Sequence, residues 1–293
     1  MKLVRYGAPG RERPGAWLET PGAAPRILDV RGMASDIQDY DAAFFAQGGL
    51  ARLPGLLAED HPRTIPAAGV RLGPPVAPPP AIYCVGKNYA AHAAEFGGGL
   101  PEQPIFFAKA ATAVVGPTDP VRLPPGPARV DGEVELAVVL GRTVRGLRPA
   151  EALEALAGFL ILNDVTDRLA QQADGQWFRA KSADTFCPLG PWLVTPDEIP
   201  DWRALRLRLW SKDQLLQDAP AADMVFALPE LLAALSARLT LPAGTILATG
   251  TPSGIGSARQ PPVLLEPGDT LRATITGLGE QANPVTGPAA GRA

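Results

Sequence analysis

Cysteine and long apolar runs are scarce in this chain of 293 residues. Its only two cysteines, Cys84 and Cys187, have no partner at a zinc-ligand spacing and do not make a disulfide framework. A reducing cytoplasm is therefore the expected location. The longest apolar runs, such as Leu136–Leu140, are too short to cross a bilayer, and the N-terminus lacks the apolar core of a signal peptide.

A concentration of positive charge is also missing. The formal net charge is −3, and no cluster of lysine and arginine suggests a nucleic-acid footprint. Apolar residues make up 46% of the chain and charged residues 19%, which is typical of a packed globular protein. The length allows one large domain with a small addition, or two domains.

A proline-rich stretch gives the clearest boundary in the chain. Residues 1–72 are predicted to form a small, strand-rich module, in which His61 is a solvated loop residue. Residues 73–80 are predicted to form an extended linker, because proline neither continues a helix nor enters a sheet interior. Residues 81–284 then form the main domain, and residues 285–293 a disordered tail.

One acidic stretch, Arg129–Gly141, alternates with period two and is predicted to be a strand. One of its faces carries Asp131, Glu133 and Glu135, followed by small apolar residues that indicate burial. Three neighbouring carboxylates repel one another, and a divalent cation with oxygen ligands would remove that repulsion. A solvated strand face is the alternative, and the pattern alone does not decide between the two.

A histidine and a glutamate stand three residues apart on the predicted helix Lys87–Phe96. His92 and Glu95 therefore share a face, as a general base and its orienting group do. An ordinary surface pair is the alternative. The following Gly97–Gly99 would allow this helix to move as a lid, or would simply form a flexible loop.

Several later polar residues are candidates for the same site. Asp164 ends the predicted strand Gly158–Asp164, where it would be either a functional group or the N-cap of a helix. Arg168 and Gln171 are three apart on a predicted helix. Lys181 lies in a polar loop, and its alternative interpretation is a surface lysine. The glycine-rich turn at 249–256 offers backbone N–H groups to an anion but matches no nucleotide-binding fingerprint.

Taken together, these stretches resemble the fumarylacetoacetate hydrolase superfamily from about residue 80 to 282. The resemblance is carried, in chain order, by Val85–His92, Phe107–Lys109, Asp131–Leu136, Asn163–Thr166, Gly175–Pro191 and Thr249–Gly254. It implies a mixed α/β, β-rich fold with mixed β-sheets rolled around a metal site and a small N-terminal β-rich module. It also implies a homodimer.

The resemblance assigns roles to residues of this chain. It implies Mg²⁺ or Mn²⁺, with Ca²⁺ as a further candidate, held by Glu133, Glu135 and Asp164. His92, Glu95 and Lys181 match catalytic positions. The positions that match substrate contacts are Arg168, Gln171, Thr251 and Lys109.

Within the superfamily the chain is most similar to the bacterial 2,4-diketo-3-deoxy-L-fuconate hydrolases. The expected activity is hydrolysis of a C–C bond in a 2,4-diketo acid, which gives pyruvate and a carboxylic acid. Decarboxylation or tautomerisation of a 2-keto diacid such as oxaloacetate is the alternative, and a non-catalytic relative is a third. Lys87 adds a cation beside the predicted lid, which favours a more acidic substrate.

Overall fold

The computed structural model describes residues 1–59, 62–95, 97 and 99–288, which form twenty strands and seven α-helices. His61, Gly98 of the predicted lid hinge and residues 289–293 of the predicted tail lie outside the described residues. Among the described residues, no helix has the length and apolar character needed to span a membrane.

The strands are short and occur throughout the described chain. They are Lys2–Tyr6 (β1), Arg13–Leu18 (β2), Arg26–Asp29 (β3), Thr64–Pro66 (β4), Leu72–Gly73 (β5), Ile82–Gly86 (β6), Ile105–Lys109 (β7), Val114–Val115 (β8), Val121–Arg122 (β9), Val130–Asp131 (β10), Val134–Leu140 (β11), Leu156–Asn163 (β12), Thr166–Asp167 (β13), Cys187–Pro188 (β14), Leu193–Val194 (β15), Arg206–Ser211 (β16), Gln214–Pro220 (β17), Ile246–Ala248 (β18), Thr270–Ile275 (β19) and Gly279–Thr286 (β20).

The α-helices have between four and nine residues. They are Val30–Met33 (α1), Ala42–Ala46 (α2), Leu53–Leu57 (α3), Ala90–Glu95 (α4), Arg168–Asp174 (α5), Phe178–Lys181 (α6) and Leu228–Ser236 (α7). Single 3₁₀ turns occupy Gly49–Arg52, Ala111–Ala113, Pro149–Glu151, Leu153–Ala155, Pro196–Glu198, Trp202–Ala204, Ala221–Asp223 and Gly256–Ala258.

Two large sheets dominate the architecture. The first has eleven strands in the order β4-β3-β2-β1-β15-β12-β11-β18-β6-β7, with β5 paired to β1. The second has five strands in the order β17-β16-β19-β20-β9. Most pairs are antiparallel, whereas β6 with β18 and β9 with β20 are parallel. The mixed α/β, strand-rich architecture predicted from the sequence is confirmed.

Strand β11 is buried along its whole length and on both faces. Val134, Leu136 and Val138 pack in a core that also contains residues of β16 and β19. On the opposite face, Ala137 and Val139 pack in a second core with residues of β1, α2 and β12. The predicted alternation is thus correct for this part of the acidic stretch, and its second face is covered as expected.

The first sheet contains strands from both sides of the predicted proline-rich boundary. Leu3 of β1 pairs with Leu193 of β15, and β5, at the start of the proline-rich stretch, pairs with β1. The N-terminal strands are therefore part of the sheet that carries β11. At the other end of the chain, β20 extends to Thr286, so the first two residues of the predicted tail are in a strand.

Candidate metal centre and active-site cavity

Three carboxylates converge where β11 begins and β12 ends. Because these strands are antiparallel, with Val134 opposite Asn163, the residue after β12 lies beside the residue before β11. The backbone N–H of Asp164 donates to the carbonyl of Glu133 over 2.8 Å. Oxygens of Glu133, Glu135 and Asp164 lie within 4.8 Å of one another, and all three residues are buried. The three predicted metal ligands are thus brought together.

The acidic stretch is interrupted at Gly132 and Glu133, between β10 and β11. Strand β10 leaves the main sheet and pairs with β13. A Cβ at Gly132 would lie 2.8 Å from the side chain of Leu271 and 2.9 Å from Oδ1 of Asn163, so glycine allows the close approach. Because the strand is broken here, the uninterrupted strand predicted over Arg129–Gly141 is not found, and Asp131 lies outside the cluster of Glu133, Glu135 and Asp164.

Two lysines lie against the acidic cluster. Nζ of Lys181 donates to Oε2 of Glu133 over 2.9 Å and to Oδ2 of Asp164 over 2.6 Å. Its third partner is the hydroxyl of Thr166 at 2.8 Å. Nζ of Lys109 donates to Oδ1 of Asp164 over 2.6 Å and to the carbonyl of Lys181. Lys181 is therefore no surface lysine, and Asp164 is held by two ammonium groups.

The electrostatics of the three carboxylates differ because their partners differ. Burial alone would raise the pKa of Glu133, but the charges of Arg168 and Lys181 hold it well below its usual value. Burial raises the pKa of Glu135 well above its usual value, and the adjacent Asp164 and Glu133 carboxylates raise it further. An additional positive charge nearby would therefore stabilise the ionised form of Glu135.

The donor set suits a hard divalent cation. It consists of carboxylate oxygens only, and Mg²⁺, Mn²⁺ and Ca²⁺ prefer oxygen ligands. Glu135 accepts one backbone hydrogen bond, from Gly250 over 2.8 Å, and makes no ion pair with a lysine or arginine of the described chain. A cation between Glu133, Glu135 and Asp164 would supply the charge that Glu135 lacks. The residues present thus fit a divalent metal.

Arg168 connects the metal centre to Asp131. Its Nε donates to Oδ1 of Asp131 over 2.7 Å, and its Nη2 donates to Oε1 of Glu133 over 2.5 Å. Oδ2 of Asp131 accepts a hydrogen bond from the backbone N–H of Ser257 over 2.7 Å. Oε1 of Gln171 accepts from Nη1 over 3.1 Å, so Gln171 lies beside the guanidinium as its spacing predicts. The N-cap of α5 is Asp167 and not Asp164, the alternative considered above.

The predicted histidine–glutamate pair lies on α4. Nδ1 of His92 donates to Oε2 of Glu95 over 2.9 Å, which leaves Nε2 as the basic nitrogen of the neutral ring. Oε1 of Glu95 accepts from the backbone N–H of Gly254 over 2.6 Å, so the carboxylate ties α4 to the glycine-rich turn. His92 is only 6% exposed. The interpretation as an ordinary surface pair is therefore wrong.

Thr251 lies in the glycine-rich turn at the edge of the metal centre. Its hydroxyl donates to the carbonyl of Val134 over 2.9 Å and accepts from Nε2 of Gln217 over 2.8 Å. Oε1 of Gln217 in turn accepts from the N–H of Val134 over 3.0 Å. The turn is thus fixed to the first residue of β11, between the two glutamates.

These groups surround one cavity of about 520 Å³. Its lining includes Val85, Gly86, Lys87, His92, Glu95, Phe107, Arg129, Glu133, Glu135, Arg168, Gln171, Gln172, Trp177, Lys181, Thr251, Ser257 and Ala258. The rings of Phe107 and Trp177 meet edge to face at a centroid distance of 5.2 Å and form an apolar wall. Nζ of Lys181 lies 5.2 Å from the centroid of the Phe107 ring.

Most predicted site residues therefore share this cavity, with two exceptions. Asp164 is fully buried and is not one of the lining residues, although its neighbours Glu133, Glu135 and Lys181 are. The side chain of Lys109 has no exposed surface and contacts Asp164 from the protein interior, so it lies outside the cavity lining where a substrate contact was expected. Asp131 and Gln217 were missed as supports, because their contacts join residues far apart in sequence.

Comparison with known proteins gives a consistent result. The profile of the family described as fumarylacetoacetate (FAA) hydrolase C-terminal matches residues 81–286. A protein of Burkholderia multivorans that carries only a provisional hydrolase name is 40% identical over 285 residues, which cover 96% of this chain and 97% of the relative.

Two solved structures connect the fold to particular chemistry. Maleylpyruvate hydrolase from Sphingobium sp. SYK-6, solved with manganese(II) and pyruvate, superposes with a TM-score of 0.77 at 32% identity, covering 99% of this chain and all of that one. The 2-hydroxyhepta-2,4-diene-1,7-dioate isomerase of Mycobacterium marinum gives a TM-score of 0.76 at 32% identity, with the same coverage. Because the family profile matches most of the sequence, the chain belongs to the fumarylacetoacetate hydrolase family of hydrolases and isomerases.

Proposed function

We propose that this protein is a Mg²⁺- or Mn²⁺-dependent hydrolase that cleaves a C–C bond of a 2,4-diketo acid to pyruvate and a carboxylic acid. One observation carries the proposal: a single cavity contains a paired imidazole and carboxylate, His92 with Glu95, together with the acidic cluster and Lys181. The manganese and pyruvate in the maleylpyruvate hydrolase structure support the same chemistry.

The metal centre would bind the acidic end of the substrate. Glu133, Glu135 and Asp164 would hold the cation, which when bound supplies a Lewis acid for the carboxylate and 2-keto oxygens. Lys181 contributes a fixed positive charge beside this end, because the Asp164 and Glu133 carboxylates outweigh burial and raise its pKa above the usual value. All three of its protons are donated to protein oxygens, so one of these bonds must break before Lys181 donates to substrate.

The imidazole would act on water at the other end of the bond. Glu95 holds Nδ1 of His92, so Nε2 can take a proton from water as the water oxygen bonds to C4. Cleavage of C3–C4 leaves the electron pair on C3 of the pyruvate part, where the Lys181 charge stabilises it. The proton held by His92 then passes to C3. His92 and Glu133 line the same cavity, so the base and the acidic cluster would face one bound substrate.

Pyruvate release from a panel of acylpyruvates and oxaloacetate, with Mg²⁺ or Mn²⁺, tests this function. Glu133→Ala should abolish turnover and metal retention together, because a ligand and the anchor of Arg168 and Lys181 are both lost. Glu154→Ala, an exposed glutamate on a 3₁₀ turn, is the matched control. Full activity of Glu133→Ala in chelator-treated buffer would contradict the proposal.

A second candidate, decarboxylation or tautomerisation of a 2-keto diacid, is favoured by the isomerase among the similar structures. It needs the same stabilisation of negative charge on C3 but no attack by water. His92→Ala separates the two, because a hydrolase loses most of its rate and a decarboxylase retains it. The homodimer and the closer similarity to diketo-fuconate hydrolases stay predictions.

A further inference from the structure

Lys87 has an unusual backbone conformation at the wall of the cavity. It follows β6 with φ of +56°, in the left-handed region that side chains other than glycine rarely adopt. The predicted helix over Lys87–Phe96 consequently begins later, at Ala90. Lys87 is half-buried and is one of the residues that line the cavity. A lysine that combines a conformation suited to glycine with a place in the cavity lining is a candidate for a role in ligand binding.

The neighbours of Lys87 fix this conformation from both sides. A Cβ at Gly86 would lie 2.4 Å from the Trp177 ring, so the backbone is pressed against the aromatic wall. Asn88 is fully buried, donates to the carbonyls of Thr249 and Phe226, and accepts from the N–H of Phe226. The direction in which Lys87 leaves the backbone is thus set by buried contacts.

The ammonium of Lys87 has no hydrogen-bond or ion-pair partner within residues 1–59, 62–95, 97 and 99–288. Arg129, an exposed residue of the same cavity lining, has a guanidinium that is also without such a partner in these ranges. The other two cations of the lining, Arg168 and Lys181, are each ion-paired to two carboxylates. The cavity therefore contains two positive groups that no acidic group of the protein neutralises by contact.

The charge balance of the cavity shows what would neutralise them. The charged lining residues, with histidine counted as neutral, are Lys87, Arg129, Arg168 and Lys181 against Glu95, Glu133 and Glu135. Asp131 and Asp164 are ion-paired to Arg168 and Lys181, and Lys109 is ion-paired in turn to Asp164, so the connected set comprises five cations and five anions. A divalent cation on the acidic cluster would give the site an excess of two positive charges. A ligand with two carboxylates balances that excess, whereas a ligand with one carboxylate leaves one positive charge unbalanced.

We infer that Lys87, assisted by Arg129, binds a second carboxylate at the acyl end of the substrate, so that the preferred substrates are 2,4-diketo diacids. The inference rests on the proposed function for the acidic end of the ligand. The apolar wall of Phe107 and Trp177 would contact the carbon chain between the two carboxylates. Lys87 is then a specificity-determining residue.

The test compares two 2-oxo acids of equal length that need no turnover, 2-oxoadipate and 2-oxohexanoate. They differ only in a distal carboxylate in place of a methyl group. Calorimetry in Mn²⁺ is expected to show 2-oxoadipate binding at least ~10-fold more tightly to the unchanged protein, as for a charge-assisted hydrogen bond. Lys87→Met and Lys87→Gly should remove most of this preference and leave the affinity for 2-oxohexanoate unchanged.

A matched control is present in the chain. Lys212 also has a positive φ, +52°, but lies in the turn between β16 and β17 and does not line the cavity. Lys212→Gly should keep the full preference for the diacid. Because glycine suits a positive φ, Lys87→Gly should unfold at no lower urea concentration than the unchanged protein. A loss of affinity in this variant would then not be caused by a loss of stability.

The outcomes separate the inference from the proposed function. Equal binding of the two acids, or a preference that survives both Lys87 variants, overturns the inference, while pyruvate release from monoacid acylpyruvates would still support the hydrolase. Binding of neither acid in Mn²⁺ overturns the inference and the proposed 2-oxo acid site together.

Discussion

Neutralising Glu135 and neutralising Glu133 should affect stability in different ways, although both are predicted metal ligands. In the presence of a chelator, Glu133→Gln removes a buried negative charge. The Glu133 carboxylate lies 2.5 Å from Nη2 of Arg168 and 2.9 Å from Nζ of Lys181. Breaking a buried ion pair from one side costs about 3–5 kcal/mol. We expect the free energy of unfolding of Glu133→Gln to fall by that amount.

Glu135→Gln should be nearly neutral under the same conditions. Its contact with Gly250 needs only an acceptor oxygen, which the amide retains, and no ion-paired cation of the described chain is left behind. The substitution also removes repulsion from Asp164 and Glu133. We therefore expect a change within about 1 kcal/mol of the unchanged protein, in either direction.

Metal should affect the two variants alike, because each lacks one of the predicted ligands. At free Mn²⁺ about 100-fold above its dissociation constant, the unchanged protein gains about 2.7 kcal/mol, and both variants should lose most of that gain. Urea unfolding followed by tryptophan fluorescence, in chelator and in Mn²⁺, measures both effects, with Glu154→Gln as control. The reasoning is refuted if Glu135→Gln is as unstable in chelator as Glu133→Gln, or if it is stabilised by Mn²⁺ like the unchanged protein.

Two further predictions concern the walls of the cavity. Gly86→Ala would bring a Cβ to 2.4 Å from the Trp177 ring, so we expect about 1–3 kcal/mol of destabilisation in urea unfolding; no measurable loss would show that the ring moves aside freely. Glu95→Gln can accept at only one of the two oxygens that now receive hydrogen bonds from His92 and Gly254, so kcat should fall by about tenfold or more with a smaller change in KM. An unchanged kcat would argue against the paired imidazole as the base.

The sequence indicated the strand that carries the acidic cluster because the period-two pattern continues into buried residues. Alternation alone could not show where the pairing partner changes, and the break at Gly132 therefore went unseen. Beyond that break Asp131 lies in a strand that pairs with β13, and it reaches Glu133 only through the shared guanidinium of Arg168. Local periodicity predicts which residues share a face only as long as one strand continues without interruption.

Lys109 illustrates a different limit of the sequence. Resemblance to the family predicted a contact with substrate, but the side chain ends on Asp164, 55 positions later in the chain. Such a contact depends on how β7 packs against the segment after β12, and no spacing within either segment specifies it. By contrast, His92 and Glu95 are joined within one helical turn, and their pairing was predictable from spacing alone.

The pairing of Leu3 with Leu193 has a consequence for the order in which the chain folds. During synthesis, β1 can form its hairpin with β2 at once, but its other neighbour emerges from the ribosome only after most of the protein has been made. Until then the Lys2–Leu3 part of this edge, beyond the part that β5 covers, is open and could pair with another chain. For the same reason, a fragment that starts after the proline-rich stretch would expose β15 and should aggregate rather than fold on its own.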